Sequence, residues 1–200
     1  MKINVQLLFA MCCVVILASP LLAQENREVK NAPLDFAMIH VAKISRVTPM
    51  RVREFDPEAA DLGKKIKHRD EALEMAKVAP GELSQELLRG LKANGFKDVA
   101  IVKEGEELPA TCLVIDGNFT VLNPGSRYKR SAWGFGAGKT KVCIRGSVLD
   151  MDSKSLADFS NCRKGLGWGS ATPQMSGDTV RMGDQIAQFL AEWADGRYAY

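Results

Sequence analysis

The stretch Trp133-Gly134-Phe135-Gly136-Ala137-Gly138-Lys139-Thr140 holds the strongest hint of chemistry, because its Gly138-Lys139-Thr140 end matches a phosphate-binding loop. In such loops backbone amides cradle a phosphate and the lysine supplies charge. Two features oppose that reading. The first glycine of the pattern falls on Trp133. The segment after Thr140 reads as a strand, so no helix N-terminus faces the phosphate. Just upstream, Arg127, Lys129 and Arg130 interleave with Tyr128. This basic, aromatic stretch suits phosphate, anionic lipid or another acidic surface, and equally a solvated loop. The candidate binding set is therefore Arg127, Arg130, Trp133, Gly134, Phe135, Gly136, Gly138 and Lys139.

The catalytic inventory is poor. His40 sits inside an apolar run and His68 in a charged one, with no spacing that makes a metal site. Cys112 and a histidine would need to meet to form a thiol–base pair, and nothing in the sequence joins them. Asp116, Asp150 and Asp152 lack the paired context of acid–base chemistry and read as strand-end and turn residues. The expectation is a protein that is not an enzyme, with no catalytic residue, metal or cofactor.

These residues must be positioned by elements that begin after residue 23. Lys2 followed by the apolar run Ile3 to Leu22, with Pro20 and then Ala23, has the layout of a secretory signal. The run is short for a membrane span, broken by Asn4 and Gln6 and ended by Pro20, so a retained transmembrane helix is not expected. Met11 before Cys12, and Cys12 before Cys13, argue against acylation there. Without the signal, 177 residues remain with 26 basic and 24 acidic side chains. That is enough for one domain with a core, and too small an imbalance to point to nucleic acid. The chain divides into a signal at 1–23, a flexible linker at 24–34 and one globular domain at 35–200. Three cysteines survive cleavage, Cys112, Cys143 and Cys162, in an oxidising periplasmic or outer-membrane setting.

Hydrophobic patterning predicts the order strand, helix, strand, three antiparallel strands, helix. Phe36 to Ile44 reads as the first strand. Arg51 to Arg69 reads as a charged, exposed excursion. A helix begins near Asp70, is interrupted at Pro80-Gly81, resumes through Leu83, Leu87, Leu88 and Leu91, and stops at Asn94-Gly95. Val99 to Val102 gives a second strand. From Thr111 to Leu122 apolar residues alternate, with Leu113, Ile115, Phe119 and Val121 on one face. Lys139–Asp150 and Ser155–Arg163 form a hairpin. The last helix is N-capped by Asp178 and carries Met182, Ile186, Phe189 and Trp193.

A four-residue hairpin loop, Met151 to Lys154, sets Asp150 against Ser155. In that register Cys143 faces Cys162, within disulfide range. Gly146 then faces Phe159, an aromatic covering a strand glycine. A Cys143–Cys162 bridge is expected, with Cys112 as the spare thiol. The fold is a single small α/β (α+β) domain, with a mostly antiparallel sheet of four to five strands and two helices on one face.

Asp116 to Arg127, Arg130, Gly134 to Lys139 and Val148 to Asp150 together resemble the family known as domain of unknown function 4410. In that family a strand ends in Gly-Ser-Arg, a second arginine comes a few residues on, and a Gly-Phe-Gly-Ala-Gly stretch leads to a strand ending in aspartate. The resemblance spans roughly Phe36 to Trp193. It implies an exported bacterial envelope protein, often lipid-anchored, akin to small α/β domains of curli secretion and of cell-wall synthase activation. No established activity and no catalytic residues come with it. Two functions stay open: a non-enzymatic module that binds another envelope protein or its own kind, and a ligand carrier or enzyme with a pocket near Gly134–Gly138, Arg127 and Arg130.

Overall fold

A computed structural model describes residues 26–63, 69–103, 105–125, 139–165 and 171–199. Seven strands form one mixed sheet: β1 (Arg27–Glu28), β2 (Phe36–Ile39), β3 (Met50–Arg53), β4 (Val99–Val102), β5 (Leu113–Asn123), β6 (Lys141–Leu149) and β7 (Ser155–Lys164). Their order is β1-β2-β7-β6-β5-β3-β4. Pairing is antiparallel except at β3, which runs parallel to both neighbours, β4 and β5. Helices α1 (Arg69–Ala93) and α2 (Ala171–Ala194) pack on one face of the sheet. The expected α+β class with two helices on one face is what forms; the strand count is higher. The signal segment and His68 lie outside the described residues.

The two additional strands have separate causes. β1 lies in the segment read as a linker, where Arg27 and Glu28 pair with Ile39 and Met38 of β2 and Val29 enters the core. β3 lies in the segment read as an exposed excursion. Its sequence Met-Arg-Val-Arg alternates, so Met50 and Val52 are fully buried while Arg51 and Arg53 face the other way. Phe55, just beyond, is also fully buried.

The hairpin register places Cys143 opposite Cys162, Gly146 opposite Phe159 and Val148 opposite Ala157. At the turn it slips by one, because a bulge after Val148 sets Leu149 rather than Asp150 against Ser155. Asp150 closes the turn instead, its carboxylate accepting from the amides of Asp152 and Lys154 at 3.0 and 2.9 Å. A second irregularity falls between Phe119 and Val121. It rotates Val121 off the inward face and puts Leu122 there, fully buried, in its place.

Two helix expectations also change. α1 runs through Pro80 without interruption, since Met75, Ala79, Leu83 and Leu87 on its buried face hold both halves against the core. α2 starts at Ala171, so Asp178 is no N-cap. It lies inside the helix, 4% exposed, with Arg163 Nε 3.5 Å from its carboxylate. The apolar face extends a turn and more earlier than expected, through Ala171 and Met175. The two helices are parallel and close: a Cβ on Gly183 would come within 2.9 Å of the Leu83 carbonyl oxygen. Gly95 ends α1 at φ +84°, the left-handed conformation that glycine takes freely.

Candidate binding cleft at the ends of two parallel strands

Beyond Arg53 the chain leaves β4 and tracks β5. The Asp56 amide donates to the Gly117 carbonyl at 3.0 Å, and the Phe119 amide donates to the Asp56 carbonyl at 2.8 Å. Further on, Asp61 makes the same paired contact, donating to Thr120 and accepting from Leu122 at 3.0 Å. β4 ends at Val102, and the next amide, Lys103, is capped by the Glu106 carboxylate at 3.0 Å. The two strands therefore splay at their carboxyl ends. A cleft of about 830 Å³ opens between them, walled on one side by Ala76, Lys77 and Pro80 of α1. Crevices outside the carboxyl ends of parallel strands are where open α/β sheets bind ligands.

Its floor is apolar. Phe55, Pro80 and Val102 are buried there, and Ala76 and Ile101 half-buried. Pro80 has no N–H, so the Ala76 carbonyl, four residues earlier and on the same wall, lacks the donor it would have in an ordinary helix. The rim is charged and unevenly paired. Arg53 donates to Asp116 at 3.0 Å, and Lys77 meets Glu74 at 2.9 Å. Asp56 accepts from the Glu58 amide and Glu106 from the Lys103 amide. Among the described residues, Glu54, Asp56, Glu58 and Glu106 have no cationic partner, against Lys103 as the one lining cation without an anionic one. The described lining contains no histidine, cysteine, serine or threonine. This geometry can hold an extended, partly apolar, cationic segment.

A second polar array crosses the open face of the sheet. His40, 7% exposed, places Nε2 2.8 Å from Asp158 and Nδ1 2.8 Å from the Asn26 side-chain oxygen. Ser147 and Ser155 donate to the other Asp158 oxygen at 2.6 and 3.0 Å. Burial pushes the Asp158 carboxyl up, but hydrogen bonds from Ser147, His40 and Ser155 outweigh it and hold the group below its ordinary value. Both hydroxyls bond the carboxylate and neither bonds the imidazole, so the base–nucleophile contact of a serine hydrolase is not made. The array ties Asn26, beside β1, to β7.

Of the sequence-derived binding set, Arg127, Arg130, Trp133, Gly134, Phe135, Gly136 and Gly138 lie outside the described residues. Lys139 is exposed and leads with Thr140 into strand β6 rather than into a helix. The Cys143–Cys162 bridge forms, with Cα atoms 4.1 Å apart. Cys112 is free and buried, its Sγ 3.2 Å from Met151 Sδ, and burial pushes its thiol pKa up. Sequence patterning does not reveal the cleft itself. Asp116, read as structural, lines it, and the signals that point to it are the Met50–Arg53 alternation followed by Phe55, and a proline in mid-helix.

The architecture defines a two-layer α+β domain with a cleft at the ends of β3 and β4. A family model covers residues 37–179, and the chain belongs to that family, the domain of unknown function 4410 (DUF4410). No curated protein matches it. Among solved structures it is similar to a PelC dodecamer from Paraburkholderia phytofirmans, in space group P6. The identity is 13%, over 72% of this chain and 90% of that one, with a TM-score of 0.44. A point variant of PelC from the same organism, in space group C2, gives 12% identity over 73% and 90%, with a TM-score of 0.42. Likeness at that level says nothing of what this chain binds. Among the described residues no helix is long and apolar enough to cross a membrane.

Proposed function

We propose that this chain is an exported envelope protein without catalytic activity, which binds an extended segment of a partner protein in the β3–β4 cleft. The observation that carries this reading is the apolar floor beneath four carboxylates that have no cationic partner among the described residues. Such a rim favours a segment with Lys or Arg flanking an apolar side chain, because desolvated charge is tolerated only when it is paired. Export is supported by the first 23 residues, and a cross-strand disulfide suits an oxidising compartment.

An immobilised array of octapeptides with every placement of Lys, Asp and Leu, probed with residues 24–200, tests the reading. Peptides with lysines flanking leucine should bind and acidic ones should not, and Glu54→Lys with Glu58→Lys should abolish the preference. Binding that ignores charge, or survives both substitutions unchanged, would contradict it.

A further inference from the structure

The α1 wall of the cleft carries a main-chain group that the helix itself leaves over. Within an α-helix each carbonyl accepts from the amide four residues on. Pro80 lies inside α1 and has no N–H to give, so the Ala76 carbonyl loses its donor while the helix runs on around it. Residues four apart share one helix face. Ala76 and Pro80 both line the cleft, so the carbonyl between them is set into that wall. Arg53 and Lys77, donors in the same lining, give to Asp116 and Glu74 instead. The surroundings are apolar: Pro80, Phe55 and Val102 are buried, and Ala76 and Ile101 half-buried. An acceptor in such surroundings gains from a directed partner, and binding pockets use a few groups of this kind to fix a ligand's orientation.

We propose, resting on the reading of the cleft as a binding site, that the Ala76 carbonyl accepts a main-chain N–H of the extended partner segment and so sets that segment's register. A main-chain amide suits the place better than a lysine ammonium, because a neutral donor costs less to desolvate against an apolar floor. Pro80 is then a positioning residue. It acts by withholding a donor, which keeps one acceptor of the α1 wall open to the partner.

Calorimetric titration of residues 24–200 with an octapeptide in which lysines flank a central leucine tests this. Pro80→Ala returns the N–H to the helix and removes the ring's clash with the Ala76 carbonyl. It should melt no lower than wild type yet bind about tenfold more weakly, the loss of one hydrogen bond at a desolvated site. Gly81→Ala strengthens the same turn without engaging that carbonyl and should bind as wild type does. Peptides with a single amide-to-ester replacement, one for each position, remove one N–H at a time. One of them should lose about tenfold against wild type and less than about twofold against Pro80→Ala. Equal affinity of Pro80→Ala and wild type would overturn the proposal. So would a Gly81→Ala that binds as weakly as Pro80→Ala, or an ester series that loses equally against both proteins. A peptide with trimethyllysines keeps its charge but has no ammonium N–H. If it, and no ester, cancels the difference between wild type and Pro80→Ala, the donor is the ammonium and the proposal falls. Wild type that binds no peptide, or binds regardless of Glu54→Lys with Glu58→Lys, would overturn the cleft reading itself. Binding that needs Glu54 and Glu58 but ignores Pro80 would overturn only the role of the carbonyl.

Discussion

Gly146 lies beneath the ring of Phe159, its partner across the β6–β7 ladder: a Cβ on Gly146 would stand 2.6 Å from the ring's Cζ and 2.9 Å from the Asp116 carbonyl oxygen. Phe159 is 1% exposed and belongs to a run of rings, 6.4 Å from Phe55 and 6.4 Å from Phe189. The missing side chain leaves room for this row of tilted rings between sheet and α2. Gly146→Ala should therefore cost roughly 2 kcal/mol through overpacking. Gly81 gives the opposite sign. It sits within α1 with nothing inside 4 Å of its Cβ position, so Gly81→Ala should stabilise by about 0.5–1 kcal/mol. Urea unfolding of both variants checks the pair.

The Cys143–Cys162 bridge closes a loop with a sequence separation of 19, for which the chain-entropy relation gives about 3 kcal/mol. Replacing both cysteines by serine should lower the unfolding free energy by an amount of that order. Denatured, unreduced protein of residues 24–200 should show one reactive thiol, Cys112. In the native state that thiol should react slowly with a maleimide, since it is buried and its pKa is raised. Three reactive thiols in the unreduced, denatured protein would contradict the pairing.

Asp158 links stability to pH. Its folded-state pKa lies below the ordinary carboxylate value, so its contribution is fully present above that value and fades as pH falls through the depressed one. Asp158→Asn should therefore reduce stability most above about pH 4–5, with the difference from wild type narrowing as the solution is made more acidic. Thermal melts of both proteins from about pH 2.5 to 7, a span that brackets the carboxylate range, check this. A difference that grows toward low pH would show that the hydrogen bonds from Ser147, Ser155 and His40 do not favour the ionised form.

The antiparallel half of the sheet is legible in the sequence because its signals are local. Alternation along β5 to β7 and a short loop together set a register that also matches Gly146 to Phe159 and Cys143 to Cys162. The features that escape are decided by distant parts of the chain. In β3 the charges of Arg51 and Arg53, with Glu54 just beyond, mask the buried alternates Met50 and Val52, which gain their cover from α1 and β5. Pro80 breaks helices in isolation, yet here core contacts on both sides outweigh the lost hydrogen bond. Asp178 has the residue type of an N-cap but faces Arg163 of β7 from within the helix. The cleft combines the end of β3, the middle of α1 and the end of β4, which no local window brings together.

Backbone amide shifts of isotopically labelled residues 24–200, titrated with an octapeptide in which lysines flank a central leucine, test the central claim most directly. Shifts should concentrate at Arg53–Glu58, Ala76–Pro80 and Ile101–Glu106, saturate with one site and vanish in the Glu54→Lys, Glu58→Lys variant. Shifts confined to the stretch from Arg127 to Lys139, where the pocket of a ligand carrier or enzyme is the alternative expectation, would contradict the cleft as the binding site.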